Sequence, residues 1–124
     1  SDHIPVDRDA KTQPFGPAAP GGSGVDTLLA LTLTLVHQNH ITFSRAIELL
    51  SLAPSTILDI DGGTLVPGAH ANFIIFRPDI SWIIKGANFA SNSRITPFES
   101  YPVQGVIDFT YINGLKAYPV GPQG

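Results

Sequence analysis

The sequence contains no cysteine, and this absence excludes disulfide bonds and thiolate metal sites. A cysteine-free chain is compatible with the reducing cytoplasm, where we expect the protein to be located. Positive charge is also scarce: seven Lys and Arg residues stand against ten Asp and Glu, the net charge is −3, and no basic cluster occurs. Nucleic-acid binding therefore has no electrostatic support, and we expect no nucleic-acid partner.

Two further kinds of signal are missing from the chain. The longest apolar stretches are far too short to span a membrane, so we expect no membrane association. The charged and apolar regions that open a secretory signal peptide are not present. Methionine is absent even at position 1, and we expect that the chain was processed or derives from a longer one.

Charge of either sign is sparse. Charged residues make up 14% of the 124, against roughly 25% in an average soluble domain. Two interpretations stay open: part of the surface is buried against another body, or the protein is a neutral domain coated with Ser, Thr and Asn. The length itself is sufficient for one domain with a hydrophobic core.

The first 24 residues predict an irregular loop. Pro14, Pro17 and Pro20 lack the backbone N–H that helices and sheets need, and the intervening glycines permit unusual backbone angles. A loop of this length is uncommon in a compact domain unless it is functional or disordered.

Two helices are predicted after the loop. The first covers residues 25–37, "VDTLLALTLTLVH", with Ser23 or Gly24 as its cap; it is apolar on nearly every face. A strand is the alternative, because "LTLTLV" also alternates with a period of two, but the length favours a helix. The second helix starts at Thr42 and shows an apolar stripe until Pro54, which ends it or opens a short final turn.

Beyond a boundary near residues 59–63, the chain predicts short strands between turns. Asn113-Gly114 predicts a tight turn, because both residues accept positive φ. We expect a mostly antiparallel sheet over 64–118 that needs a covering layer, with the helix at 25–37 as its least suitable cover. The candidate strands are Thr64–Val66, Asn72–Arg77, Trp82–Ile84, Val103–Phe109 and Thr110–Tyr118.

Few residues stand out as candidates for chemistry. Asp2 and His3 are adjacent, and a carboxylate with an imidazole suits zinc or a similar divalent ion, although most such pairs are surface or cap residues. His37 and His40 are interpreted as residues of a helix end, and His70 lies in a predicted turn. No nucleophile elbow or phosphate-binding loop occurs.

The order of several segments is more informative than any single residue. Asp2-His3-Ile4-Pro5 is followed by "KTQPFGPAAPGGSGVDTLL", "HITFSRAIELLSLAPS", "GTLVPGAHANFIIFRP", "SNSRITPFES" and "VQGVIDFTYINGLKAY". Together they resemble the C-terminal third of a dihydroorotase, an enzyme of the amidohydrolase superfamily. The resemblance covers almost all of the chain, and "PFGPAAPGGSG" and "SNSRITPFE" are its most characteristic segments.

The resemblance implies an α/β fold in which two partial domains follow each other. Residues 1–60 would be the C-terminal piece of a (β/α)₈ hydrolase barrel, with the end of the last strand, an active-site loop and two to three helices. Residues 61–124 would be the C-terminal part of a composite β-sandwich. The parent enzyme would be a cyclic amidohydrolase with a binuclear zinc centre that interconverts N-carbamoyl-L-aspartate and L-dihydroorotate in pyrimidine biosynthesis.

The same resemblance assigns roles to four residues. Asp2 matches the aspartate at the end of the eighth barrel strand, which is both a metal ligand and the acid/base of the reaction. Pro20 and Gly21 match a loop whose backbone touches the substrate, and His3 is a weaker substrate-binding candidate. We expect the 124 residues alone to be inactive and to bind no catalytic zinc, because such a site needs about three protein ligands.

Val6 departs from the pattern, because many relatives have a second substrate-contacting histidine at this place. This departure favours an alternative, a catalytically silent dihydroorotase-like scaffold subunit of aspartate transcarbamoylase, whereas Asp2 and His3 favour an enzyme. A hydantoinase-like relative is a further alternative. In the turn "GAHAN", His70 and Asn72 replace two typical acids. The expected partners are a small-molecule substrate, the remainder of the barrel, aspartate transcarbamoylase and further copies of the same chain.

Overall fold

Helices precede strands along the chain in the computed structural model, which describes residues 1–118. The expected irregular loop and its helices come first, and a three-stranded sheet follows. The helices are α1 (Arg8–Lys11), α2 (Leu28–His37), α3 (Phe43–Ile47) and α4 (Ala53–Ile57), and the strands are β1 (Phe73–Ile83), β2 (Pro102–Ile112) and β3 (Leu115–Tyr118).

The predicted helices are confirmed with small changes. A 3-10 turn at Val25–Thr27 leads into α2, so the strand alternative for "LTLTLV" is wrong. Thr42 caps α3 as expected, with its hydroxyl accepting from the Arg45 N–H at 3.2 Å. A π-helical turn at Glu48–Leu52 joins α3 to α4, and Pro54 opens this last helix.

One helix was not expected. The prediction of an irregular loop over 1–24 is wrong at α1, where the Lys11 N–H donates to the Asp7 carbonyl at 3.1 Å. Residues 6–13 contain neither proline nor glycine, which leaves room for one helical turn between Pro5 and Pro14.

The sheet is antiparallel in the order β1-β2-β3, as predicted, but several strand bounds differ. No strand forms at Thr64–Val66. Asn72–Arg77 and Trp82–Ile84 belong together in β1, whose pairing with β2 shifts register between Arg77 and Ser81. The predicted strand Thr110–Tyr118 is instead divided by the turn at Asn113-Gly114, whose two residues have φ of 49° and 77°.

Helix α2 covers one face of the sheet, which corrects the expectation that it would be the least suitable cover. Leu33 of α2 is fully buried, and Ala30 packs with Ile84, Phe89 and Val103 in the core. Gly105 of β2 makes the close approach possible. Its φ is 110°, and an added Cβ would lie 2.5 Å from Leu33 Cδ1.

An ion pair lies across β1 and β2 at the protein surface. The Arg77 guanidinium donates to both carboxylate oxygens of Asp108, with Nη2 to Oδ1 at 2.8 Å and Nε to Oδ2 at 2.9 Å. Hydrogen bonding to Asp108, followed by its charge, raises the pKa of Arg77 above an already high value. The arginine therefore stays charged at any ordinary pH and adds no pH dependence to stability.

Within residues 1–118, none of the helices has the length and apolar character needed to cross a membrane.

Candidate functional site

The start of the chain packs against the glycine-rich segment that precedes α2. The Ile4 N–H donates to the Gly22 carbonyl at 3.1 Å. Gly21 has φ of 110°, and a Cβ there would lie 2.7 Å from both the Cγ2 and the carbonyl oxygen of Ile4. A Cβ on Gly24 would lie 2.6 Å from the Ser1 carbonyl oxygen. Glycine is thus required where the two segments touch.

This packing brings together the two parts of the candidate site that the sequence separates by almost twenty residues. Asp2 and His3 lie on one segment, and Pro20 and Gly21 lie on the other. Asp2 is exposed and has φ of 45°, a left-handed conformation that aspartate tolerates better than most residues. Its carboxylate is accordingly available to a ligand beside the glycine-rich segment.

His3 links Asp2 to the start of the helical segment. Its Nδ1 accepts from the Gly24 N–H at 3.1 Å and from the Val25 N–H at 3.4 Å. These N–H groups open the 3-10 turn before α2, where N–H groups have no partner within the helix. Gly24 holds the predicted cap position, but the capping side chain comes from His3 and not from Ser23. The ring uses Nδ1 for this purpose, and Nε2 is not part of this cap.

Lys11, at the end of α1, holds the loop on both sides of Pro20. Its Nζ donates to the Ala19 carbonyl at 3.1 Å and to the Gly21 carbonyl at 2.7 Å. A backbone bond from the Ala19 N–H to the Ala10 carbonyl, 3.0 Å, ties the same segment to α1. The loop is therefore ordered by contacts with its own short helix.

The segment "SNSRITPFE" packs on the other side of this loop. The Val6 N–H donates to Ser93 Oγ at 3.2 Å, and that hydroxyl donates to the Val6 carbonyl at 2.6 Å. Ser23 is fully buried; its N–H donates to the Ile95 carbonyl at 2.7 Å, and its hydroxyl donates to the Ser93 carbonyl. The two most characteristic segments of the sequence are thus bonded to each other.

An open cleft of about 500 Å³ lies between residues 6–8 and the segment "SNSRITPFE". Val6 lines it together with two positive and two negative side chains, those of Arg8, Arg94, Asp7 and Glu99. Glu99 is already engaged, because its Oε2 accepts from the Gly86 N–H at 2.8 Å. Val6 contributes only backbone hydrogen bonds here.

The described residues 1–118 contain no group of three or more His, Cys, Asp and Glu side chains that could hold a metal ion. Asp2 is suitable as one ligand of a divalent metal, because it is an exposed carboxylate. The predicted end of α2 at His37 is confirmed, and His37 Nε2 lies 3.3 Å from the Pro78 carbonyl oxygen. A complete metal centre that includes Asp2 therefore needs further ligands from outside residues 1–118.

Sequence reasoning missed Lys11 and Ser93, which organise this region, and it gave Ser23 a different role, that of a helix cap. Each acts through a backbone group that is distant in the sequence or, for Lys11, within a loop treated as irregular. A lysine among prolines and glycines and a buried serine before a helix were the available signals. Neither signal indicates which backbone group the side chain binds.

The chain is similar in sequence to several curated proteins. No family model matches the chain. Two curated proteins named dihydroorotase, from Syntrophus aciditrophicus strain SB and Pelobacter propionicus, are each 36% identical over 118 residues, which is 95% of this chain and 28% of theirs. A dihydroorotase of Clostridioides difficile strain 630 is 33% identical over 119 residues, with the same coverage. The chain thus spans little more than a quarter of the length of these relatives.

Solved structures show a similar fold. Dihydropyrimidinase from Brevibacillus agri NCHU1002 superposes with a TM-score of 0.86 at 20% identity, over 94% of this chain and 27% of that one. L-Hydantoinase (dihydropyrimidinase) from Arthrobacter aurescens has a TM-score of 0.75 at 27% identity, over 81% and 23% of the two chains. At 20% identity the similarity concerns the fold alone.

Proposed function

The chain is a homologue of the dihydroorotases over 95% of its length, and on this premise we propose that it forms the C-terminal section of a zinc-dependent dihydroorotase. The observation that carries the proposal is the 36% identity over 118 residues with curated dihydroorotases. The similarity in fold to proteins named hydantoinase and dihydropyrimidinase supports it.

The proposal includes a division of the chain. Residues 1–60 form the end of a (β/α)₈ hydrolase barrel, and the section from residue 61 onwards forms part of a composite β-sandwich; the proposed bound at residue 124 lies outside the described residues. The helix-then-sheet order of the described residues agrees with this division. In barrel enzymes, residues at the C-terminal ends of the strands form the active site, and Asp2 would lie at such an end.

The proposed reaction opens and closes a cyclic amide. Water adds to the ring carbonyl carbon of L-dihydroorotate, the C–N bond breaks, and N-carbamoyl-L-aspartate results; the reverse reaction closes the ring. A binuclear zinc centre, with Asp2 as the ligand from this chain, would supply Lewis-acid polarisation of the carbonyl and a lowered pKa of water.

Asp2 has the central catalytic role in this proposal. Its carboxylate accepts a proton from the attacking water and delivers that proton to the departing amide nitrogen, so that general base and general acid are the same group. The exposure of Asp2 beside the glycine-rich segment supports this role. The backbone of Pro20 and Gly21 would contact the dihydropyrimidine ring, and His3 Nε2 is a further candidate contact.

The test uses the full-length enzyme that carries this section. We expect it to convert both L-dihydroorotate and N-carbamoyl-L-aspartate, and Asp2→Asn should lower kcat by about 10²–10⁴-fold. Asp9→Asn removes an exposed carboxylate from α1 in the same loop and serves as the control, with near-normal kcat expected. Near-normal turnover by Asp2→Asn would contradict the assigned role.

Assays of the same full-length protein also distinguish two alternatives to this function. Val6 favours a silent scaffold subunit, which would have no activity and would co-purify with aspartate transcarbamoylase. The 27% identity to L-hydantoinase favours a hydantoinase-like enzyme, which would hydrolyse a substituted hydantoin faster than L-dihydroorotate. We further propose that the enzyme is cytoplasmic and homo-oligomeric.

A further inference from the structure

The loop that carries Pro20 lacks the regular hydrogen bonds that would fix its peptide planes. Pro20 has no N–H, and Gly21 adopts φ of 110°, a conformation outside helices and strands. Residues 19–24 form no helix or strand. A backbone that contacts a substrate must nevertheless hold its carbonyl and N–H groups in fixed directions, since small misplacements weaken binding and catalysis.

Lys11 provides the missing constraint. Its Nζ lies 3.1 Å from the Ala19 carbonyl oxygen and 2.7 Å from the Gly21 carbonyl oxygen, so one ammonium group holds the Ala19–Pro20 and the Gly21–Gly22 peptide planes. Hydrogen bonds from a charged donor are roughly twice as strong as those between neutral groups. Lys11 is half-buried and sits at the end of α1, whose Ala10 carbonyl binds the Ala19 N–H.

We propose that Lys11 is a positioning residue for substrate binding, which acts through the backbone of Pro20 and Gly21 and not by contact with the substrate. This inference rests on the proposed function, because it takes the ring of L-dihydroorotate as the group that this backbone contacts. Asp2 is held by its neighbours: the Ile4 N–H binds the Gly22 carbonyl, and His3 Nδ1 accepts from the Gly24 N–H. These bonds do not involve Lys11, so the loss of Lys11 leaves the acid/base in place.

The test separates binding from chemistry in the full-length enzyme. Lys11→Met keeps the length and the apolar stem but has no donor. We expect KM for L-dihydroorotate to rise about tenfold, equivalent to about 1.4 kcal/mol, with kcat changed by less than about twofold. Lys11→Arg retains donors and charge and should recover most of the affinity. Lys85→Met removes an exposed lysine outside this loop and should leave KM unchanged.

A second measurement reports on the loop itself. Hydrogen exchange at the Gly21 and Gly22 amides should be faster in Lys11→Met, while the melting temperature of the enzyme stays within about 2 °C of the wild type. If Lys11→Met does not fold, Lys11→Gln, which has a shorter side chain with a neutral donor, takes its place in both measurements.

The possible failures are distinguishable. An active wild-type enzyme with unchanged KM in Lys11→Met would overturn this inference alone. A fall in kcat and melting temperature at constant KM would also overturn it, since Lys11 would then be purely structural. A wild-type protein without activity on either substrate would contradict the proposed function and this inference together.

Discussion

At the scale of single residues, His3 shows how one side chain joins segments that are distant in the sequence. Its Nδ1 accepts the N–H groups of Gly24 and Val25, so the neutral ring carries its proton on Nε2. The same contact fixes the residue next to Asp2. A sequence motif can identify Asp2-His3, but it does not show which ring nitrogen of His3 accepts the backbone hydrogen bonds.

This contact leads to a prediction with an internal control. Asparagine places an acceptor oxygen close to the position of Nδ1, whereas glutamine places it close to Nε2. His3→Ala should therefore lose about 1 kcal/mol of capping energy, His3→Asn should keep most of it, and His3→Gln should resemble alanine. Hydrogen exchange at the Gly24 and Val25 amides, expected about fivefold faster in His3→Ala, measures this loss. Equal exchange rates in His3→Asn and His3→Gln would contradict the assigned geometry.

At the scale of elements, the contact between α2 and β2 depends on one glycine. Leu33 occupies the space above Gly105, and Trp82 Nε1 donates to the Gly105 carbonyl at 2.8 Å. The helix is apolar on most faces, so it can cover the sheet on one side while presenting apolar residues to another body. Residues such as Leu28 and Leu35 of α2 remain exposed.

Gly105→Ala should lower the free energy of unfolding more than the same change at a glycine that has free space around its Cα. The new Cβ would meet Leu33 Cδ1, and overpacking of this kind costs about 1–3 kcal/mol in addition to backbone strain. Gly68→Ala is the matched control, because Gly68 also has positive φ, 91°, but nothing lies within 4 Å of its added Cβ. Urea unfolding of both variants isolates the packing cost. Equal losses in the two would show that Leu33 does not pack on Gly105.

At the scale of the whole molecule, much apolar surface is left uncovered. Ile57, Leu65 and Leu115 are 81%, 82% and 75% exposed, and the strands keep further exposed isoleucines. An apolar groove of about 550 Å³ separates α3 from β1, with Phe43 and Phe76 stacked at 6.1 Å between ring centroids. Together with the low charge content, this surface favours the interpretation that another body covers it.

The isolated residues 1–124 should therefore self-associate. Sedimentation at tens of micromolar should show dimers or larger species, and a dye that binds exposed apolar surface should fluoresce strongly. Ile75→Lys, at an exposed strand position, should reduce association, because charge on strands opposes edge pairing. Thr56→Lys adds the same charge at an exposed polar position of α4, without removing apolar surface, as a control. A compact monomer that binds no dye would contradict the proposal that this chain is a section of a larger enzyme.

The sequence by itself determined the features that depend on neighbouring residues. The apolar run before His37 makes α2, Thr42 caps α3, and Asn113-Gly114 turns β2 into β3, because capping, periodicity and positive φ are local properties. The order of motifs also identified the dihydroorotases as relatives.

Only the tertiary structure decided which distant groups meet. Ser93 binds Val6 across 87 residues, and α2 covers the sheet because Gly105 lacks a side chain. The stretch Thr64–Val66 has strand-like residues but forms no strand, since a strand also needs a partner with which to pair. The loop that contains Pro20 and Gly21 is likewise ordered by Lys11. Such contacts depend on the three-dimensional path of the chain, which local propensity does not encode.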